Sequence, residues 1–441
     1  MAIRIKPEKR HSFFNFLVVF LVVWCAMQDF FLPILLQLTG AVGFVKVLFY
    51  SKDVLLIILF IYAFFKTKGI KTSYAVLSLT FMAVAFIYIF VGLAAKVEAS
   101  MVLASFRGWI LLPCLFYIGY AIDNKPYFLK KTLPRIFRFY VLLAIFGLVE
   151  YYLDKTIGTK KFWTDTVGIT EYMDVIKGQK GRLVEGLPGN FYGSYGEKFL
   201  SQKRVCSVWA SPLAAGYNFL LPISYYFSLM IKKPKLKYAI GFGICFWALW
   251  LTKTRAIVLL CVPVFLLLMF HFWAKARILI LIVTVVGGIA FFALFQEKIM
   301  GYLFDQSTGG HTESIILSLQ SIDSFLGTGL GTYGVGTAIG TESTFITCYG
   351  QLGVLGIILY VWLILTFVTS NLRMVSCTGS AVVVSICVPT ACLFLTGLIS
   401  EQIIAYTSSV LAFILMGAIA CPRRVKVYRY VQNYNYQRVY Q

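Results

Sequence analysis

Residues 13–36 read FFNFLVVFLVVWCAMQDFFLPILL. This run exceeds the roughly 20 apolar residues that an α-helix needs to cross the hydrocarbon of a bilayer. The basic start MAIRIKPEKRH precedes it. The run is too long for a signal core and no small-residue cleavage site follows, so it reads as a retained first helix. Similar runs recur near 53–66, 73–95, 102–121, 136–153, 207–231, 238–252, 256–272, 278–295, 343–368, 379–399 and 403–421, which with the first makes about twelve spans. The second is short as written and reads as starting earlier, near Val47, with Lys52 and Asp53 as a pair near one interface. A re-entrant segment there is the alternative. The chain has 441 residues, 59% hydrophobic and 13% charged. A soluble fold is excluded, and the expected class is all-α: a single polytopic transmembrane helical bundle over residues 1–441.

Charge sets the orientation. With the N-terminus in the cytoplasm, the inner segments are 1–12, 66–72, 122–138, 232–237, 273–277, 369–378 and 422–441. They hold 24 of the 40 Lys and Arg residues but only Glu8 and Asp123 of the 18 acids. Every inner loop then obeys the positive-inside rule, and both termini are cytoplasmic. The formal charge of +22 therefore calls for no nucleic-acid partner. The basic, tyrosine-rich tail over 422–441 is expected to touch anionic membrane lipids.

On this topology two outer loops are long, 154–206 and 296–342. The first mixes both signs of charge with Phe162, Trp163, Tyr172, Phe191, Tyr192 and Tyr195. That composition suits the stacking of sugar rings, and equally a folded cap without a ligand. The second belongs to DQSTGGHTESIILSLQSIDSFLGTGLGTYGVGTAIGTESTFITCYGQLGVLG, residues 305–356. Its spacing predicts an amphipathic helix over 311–326, capped by Thr308 or Thr312 and ended by Gly327. Turns at Gly327, Gly329, Gly331, Gly334 and Gly336 let backbone amides approach a ligand with no Cβ in the way, and Tyr333 lies among them. A loop tied down by glycine turns is the plain alternative. Glu342 follows at the mouth of the next apolar helix, either as a general base or as an acid favourable to the helix dipole.

The remaining candidates are cations at outer ends of spans. Arg204 stands in KRVCSVWASPLAAGYNFLLP, Lys253 and Arg255 in LWLTKTRAIVLL, and Arg107 in SFRGW, about two turns into a span. Arginines on one side of the membrane suggest a polyanion, and the five-donor guanidinium fork suits diphosphate oxygens. Snorkelling would account for Arg204 or Arg255 taken alone, and pairing with an interior acid such as Glu401 for Arg107. His11, His271 and His311 are far apart, so no metal site is expected. The ten cysteines form no CxxC and mostly sit inside spans; only Cys206 and Cys348 lie near the outer face, where a disulfide between them is one option.

The order of these segments resembles the bacterial O-antigen polymerase and ligase superfamily, whose members handle polysaccharides carried on undecaprenyl diphosphate. Thr254, Arg255 and Ala256 fall on the family's Ser/Thr, Arg, small-residue turn. Leu326 to Gly331 falls on its Leu-Gly-x-Gly-x-Gly turn, Glu342 and Ser343 on its polar pair, and Gln351 to Gly356 on its E/Q-x-G-x-x-G helix start. The resemblance implies a GT-C-like, membrane-embedded inverting glycosyltransferase of the bacterial inner membrane, without a cofactor and with its active site on the periplasmic face. It implies undecaprenyl-diphosphate-linked glycans as donor and acceptor, and a polysaccharide chain-length regulator as a partner. Arg204, Arg255, Arg107 and Lys253 would then hold the diphosphate, with Gly329, Gly331 and Tyr333 at the substrate, Glu342 as base and His311 second. His311 stands where members commonly have arginine, and Glu342 where ligases carry histidine. The second departure favours a polymerase of O-antigen, capsular or exopolysaccharide chains over a ligase acting on lipid A core. A lipid-linked sugar flippase is the further alternative, which would usually need polar residues at the midplane, whereas the polar density here is at the outer face.

Overall fold

The computed structural model describes residues 12–67, 73–153, 158–178, 183–184, 186–188, 191, 203–273, 306–322, 324–334, 337 and 339–420; of Ser73, Val184 and residues 306–312 it describes the backbone alone. The helices are α1 (Phe13–Thr39), α2 (Val42–Lys66), α3 (Ser73–Ala94), α4 (Ala99–Tyr120), α5 (Lys125–Tyr152, with a π-helical turn at Phe128–Thr132) and α6 (Pro212–Lys232). They continue with α7 (Leu236–Thr252), α8 (Arg255–Phe272), α9 (Gln306–Gln320), α10 (Thr344–Thr378), α11 (Ala381–Thr396) and α12 (Tyr406–Ala418). Among the described residues seven of these, α1 to α5, α8 and α10, are long and apolar enough to cross a membrane, while α7, α11 and α12 are shorter apolar helices. The protein is an all-α, multi-pass membrane bundle. The run near 278–295 lies outside the described residues.

α4 is central. It packs against α2, α3 and α12. Its Gly119 lies so close to α12 that a Cβ there would fall 1.9 Å from the Ile414 carbonyl oxygen, and a Cβ on Gly417 would fall 2.0 Å from that of Phe116. Small residues let helix backbones approach where lipid supplies no hydrophobic drive to associate. One end of the bundle is tied by Lys66 to Asp123 at 2.5 Å, and by Asn15, whose amide donates to the Asp123 carbonyl at 2.9 Å.

α2 starts at Val42 and runs unbroken to Lys66, which removes the re-entrant alternative. Its two interior charges do not interrupt it because each has a partner. The Lys52 ammonium donates to the Phe49 carbonyl at 2.7 Å, and Asp53 accepts from Arg107 at 3.4 Å.

The described part of the first long loop is a folded cap. Short helical turns and the hairpin β1 (Leu183–Val184) and β2 (Leu187–Pro188) enclose a second core. There Trp163, Tyr172 and Phe191 are buried against Leu32, Leu36 and Val45 of α1 and α2. These three rings therefore pack and do not stack sugars; Tyr192 and Tyr195 lie outside the described residues. Glu150, near the end of α5, anchors the cap by accepting from Trp163 Nε1 at 2.9 Å and from the Ser207 amide at 3.1 Å. Lys177 closes its other side on Asp29 at 2.9 Å.

Candidate functional site

Arg204 and the α7–α8 turn form one cationic corner. The α6 helix starts at Pro212, with Ser211 Oγ accepting from the Ala214 amide at 3.4 Å. Just upstream, Arg204 Nε donates to the Thr252 carbonyl at 2.7 Å, and the Val205 amide to the Leu251 carbonyl at 3.0 Å. The last carbonyls of α7 are thus satisfied by a cation, which the negative end of a helix favours. Thr254 Oγ1 donates to the Pro212 carbonyl at 3.0 Å, locking the turn onto the start of α6.

Lys253 closes α7 in the left-handed region, with φ +51°. Glycine usually takes that position, and a side chain there costs about 1–2 kcal/mol. What the lysine adds is a second cation beside the first. Burial, and then the charge of Arg204, hold its ammonium below the ordinary lysine range. Arg255 is the first residue of α8. Of the four cations grouped from the sequence, Arg204 and Lys253 approach one another at this turn, Arg255 begins the next helix, and Arg107 lies elsewhere.

Glu342 stands one residue before the N-cap of α10. Ser343 is the cap, its Oγ accepting from the Ile346 amide at 3.4 Å and donating to the Gly397 carbonyl at 3.3 Å. Glu342 is therefore outside the first turn, and the dipole role falls to its neighbour. Buried Thr341 and Ser343 hold the backbone on either side of half-buried Glu342. The start of α10 is roped to the end of α11, since Thr344 Oγ1 donates to the Ser400 carbonyl at 2.8 Å. Tyr217 of α6 donates to Thr396 Oγ1 at 2.8 Å. Residues 396–400 thus bridge α6, onto whose start the α7–α8 turn is locked, and the helix that follows Glu342.

The glycine loop is a correction. α10 breaks at Gly353, with φ +68° and ψ −168°, a conformation open only to glycine. The loop plugs the break: the Thr328 amide donates to the Gly350 carbonyl at 2.9 Å, that of Gly329 to Gln351 at 3.1 Å, and that of Val354 to the Phe325 carbonyl at 2.9 Å. Leu330 donates to the Tyr88 carbonyl on α3 at 3.1 Å. A helix broken inside a membrane protein needs such substitutes for its lost bonds. The amides of Thr328, Gly329 and Leu330 are spent on protein carbonyls and do not cradle a ligand. A Cβ on Gly329 would lie 2.4 Å from the Gly92 nitrogen, and one on Gly331 2.9 Å from Val97. Tyr333 is fully buried, its hydroxyl donating to the Ser321 carbonyl at 2.7 Å. That bond helps end α9 at Gln320, short of the expected 326. Thr308 and Thr312 both lie inside the helix, so neither is its cap.

Arg107 belongs to another set. It meets Asp53 and faces the Tyr406 ring at 5.6 Å, so its acid is Asp53 and not Glu401. Glu401 accepts from Thr347 Oγ1. His311 falls on α9, three residues before Ser314, whose Oγ donates to the Gly340 carbonyl at 3.1 Å; the imidazole lies outside the described residues. Cys206 and Cys348 are free and buried, so the disulfide does not form. Burial, and then the Glu150 carboxylate, push the Cys206 thiol well above its ordinary range. Among the described residues no group of His, Cys, Asp and Glu could hold a metal.

Sequence reasoning passed over Glu150 and Asp29 as organisers, and gave Asp53 to Lys52 where the structure also gives it Arg107. An acid inside an apolar run was the available signal, since such a group must find a partner. Comparison with known proteins finds no matching family model, no matching curated protein and no matching solved structure.

Proposed function

We propose that the protein is a glycosyltransferase that polymerises undecaprenyl-diphosphate-linked oligosaccharide units into a bacterial surface polysaccharide. The reading includes about twelve spans, a GT-C-like architecture, cytoplasmic termini and a site on the periplasmic face of the inner membrane, as the loop charges favour. The observation that carries it is the corner where Arg204 and Lys253 meet at the end of α7, with Arg255 on the next turn. Two cations drawn together at the negative end of a helix, with a third on the next turn, are the charge complement of a diphosphate.

In this account the donor diphosphate lies against those three cations. A hydroxyl of the acceptor sugar attacks the anomeric carbon of the donor glycan. The new C–O bond forms as the bond to phosphate breaks, the configuration inverts, and Glu342 takes the hydroxyl proton. Charge grows on the leaving phosphate, so fixed guanidiniums favour the transition state over the ground state. The residues 396–400, bonded to both α6 and α10, would hold the base in register with the corner.

One observation favours a second reading, a flippase for the same lipid-linked sugar. Asp29, Lys52, Asp53 and Arg107 place ionisable groups well inside α1, α2 and α4, where transporters carry theirs. The deciding experiment expresses Arg204→Ala and Arg255→Ala in a deletion strain and resolves surface polysaccharide on a gel. Loss of long chains with single capped repeats retained, at normal membrane levels of protein, supports the polymerase. Loss of even single repeats supports the flippase, and unchanged chains in both variants refute the diphosphate role.

A further inference from the structure

We infer that the cleft between α2 and α3, with α4 as its floor, binds an anionic glycerophospholipid whose phosphodiester sits at Arg107. α4 packs against both α2 and α3, which have no comparable packing on one another. Consecutive residues of α4 reach the two walls: Phe106 meets Phe86 of α3 at 6.2 Å, and Arg107 meets Asp53 of α2 at 3.4 Å. Between them the floor is open, with Leu103 58% exposed, and the walls show Tyr50, Val54 and Phe90 to the surroundings. In a membrane bundle those surroundings are acyl chains.

A charged pair is out of place there. The Arg107 side chain is 35% exposed and that of Asp53 20%, so the pair is not sealed inside protein. Leaving an arginine against hydrocarbon costs several kcal/mol, which a lipid headgroup drawn to the same depth removes. The charge balance selects the headgroup. Lys52, buried in α2 and within electrostatic range of both, adds one positive charge to the Arg107–Asp53 pair. Asp29 has its own cation in Lys177. The net charge of +1 matches a phosphodiester monoanion, whose two chains would lie along the apolar walls. A diphosphate, with two or more negative charges, is matched by Arg204, Lys253 and Arg255 instead. This inference does not rest on the catalytic reading.

The test is native mass spectrometry of the full chain, purified in detergent with an equal mixture of phosphatidylglycerol and phosphatidylcholine. Wild-type protein should retain one phosphatidylglycerol selectively. Arg107→Ala should lose about tenfold or more of that retention, as expected for one hydrogen bond to a charged group. Leu103→Trp fills the cleft one helical turn from Arg107 while leaving both charged side chains in place, and should give the same loss, which covers the case in which Arg107→Ala does not fold. Leu142→Trp, on the exposed face of α5, should retain the lipid. Equal retention of both lipids, or wild-type retention in Leu103→Trp, overturns the proposal. In a second run with farnesyl diphosphate added at the same concentration, its retention in preference to phosphatidylglycerol, abolished by Leu103→Trp, overturns the choice of a phosphodiester.

Discussion

Glu342→Gln and Ser343→Ala separate catalysis from capping at neighbouring positions. Ser343 Oγ caps α10 and also donates to the Gly397 carbonyl. Losing the cap costs about 1 kcal/mol, and losing a buried hydrogen bond about 1 more. Ser343→Ala should therefore be less stable by about 2 kcal/mol, a fall of a few degrees in Tm for a chain of this size. Glu342 stands before the N-cap and does not cap α10, so its isosteric amide should cost less stability than Ser343→Ala. Polymerisation should respond in the opposite order. Removing a general base costs about 10² to 10⁴ in rate, while Ser343→Ala should keep most of its activity. Stability can be read with a thiol-reactive fluorogenic dye, because the nine described cysteines are free and all but Cys377 are buried. Activity is read from polymer formed on lipid-linked repeats by purified protein. Normal polymer from Glu342→Gln refutes the base, and a large loss of Tm in the same variant refutes the placement of the cap.

Three further outcomes are expected. Lys253 is held below its ordinary range by burial and by Arg204, so it sheds its proton earlier than a free lysine as pH rises. Donor affinity should then fall on the alkaline side below the usual lysine pKa, while the fold, which prefers the neutral amine, gains stability across the same window; a rate–pH profile in which Lys253→Arg keeps the same alkaline limb would refute this. Val175→Cys, on the exposed surface of the cap, should react with an impermeant thiol reagent in outer-membrane-permeabilised cells of a cysteine-depleted strain, and labelling only after lysis would reverse the orientation. Gly329→Ala should greatly reduce the yield of folded protein, since φ is +101° and a Cβ would lie 2.4 Å from the Gly92 backbone; a monodisperse, normally stable Gly329→Ala protein would show that the loop does not plug α10.

Much of the architecture was legible along the chain. Apolar runs locate membrane helices because each must satisfy its own backbone within the segment, a local requirement that a local pattern can reveal. Part of the cationic corner was legible for the same reason, since Lys253 and Arg255 are joined by a turn too short to separate them, whereas the approach of Arg204 to that turn is a tertiary contact. Pairing across the bundle was not. Asp53, and not Glu401, became the partner of Arg107 because α2 and α4 pack side by side, and nothing in either segment names its neighbour. Glycines in 327–334 have the same composition whether their amides face a ligand or another backbone; the break at Gly353, which creates unpaired carbonyls at Gly350 and Gln351, decided for the backbone. Trp163, Tyr172 and Phe191 would suit sugar stacking or a core equally well by type. Only the approach of α1 and α2, carrying Leu32, Leu36 and Val45, turned them inward, because burial depends on what arrives from elsewhere in the chain.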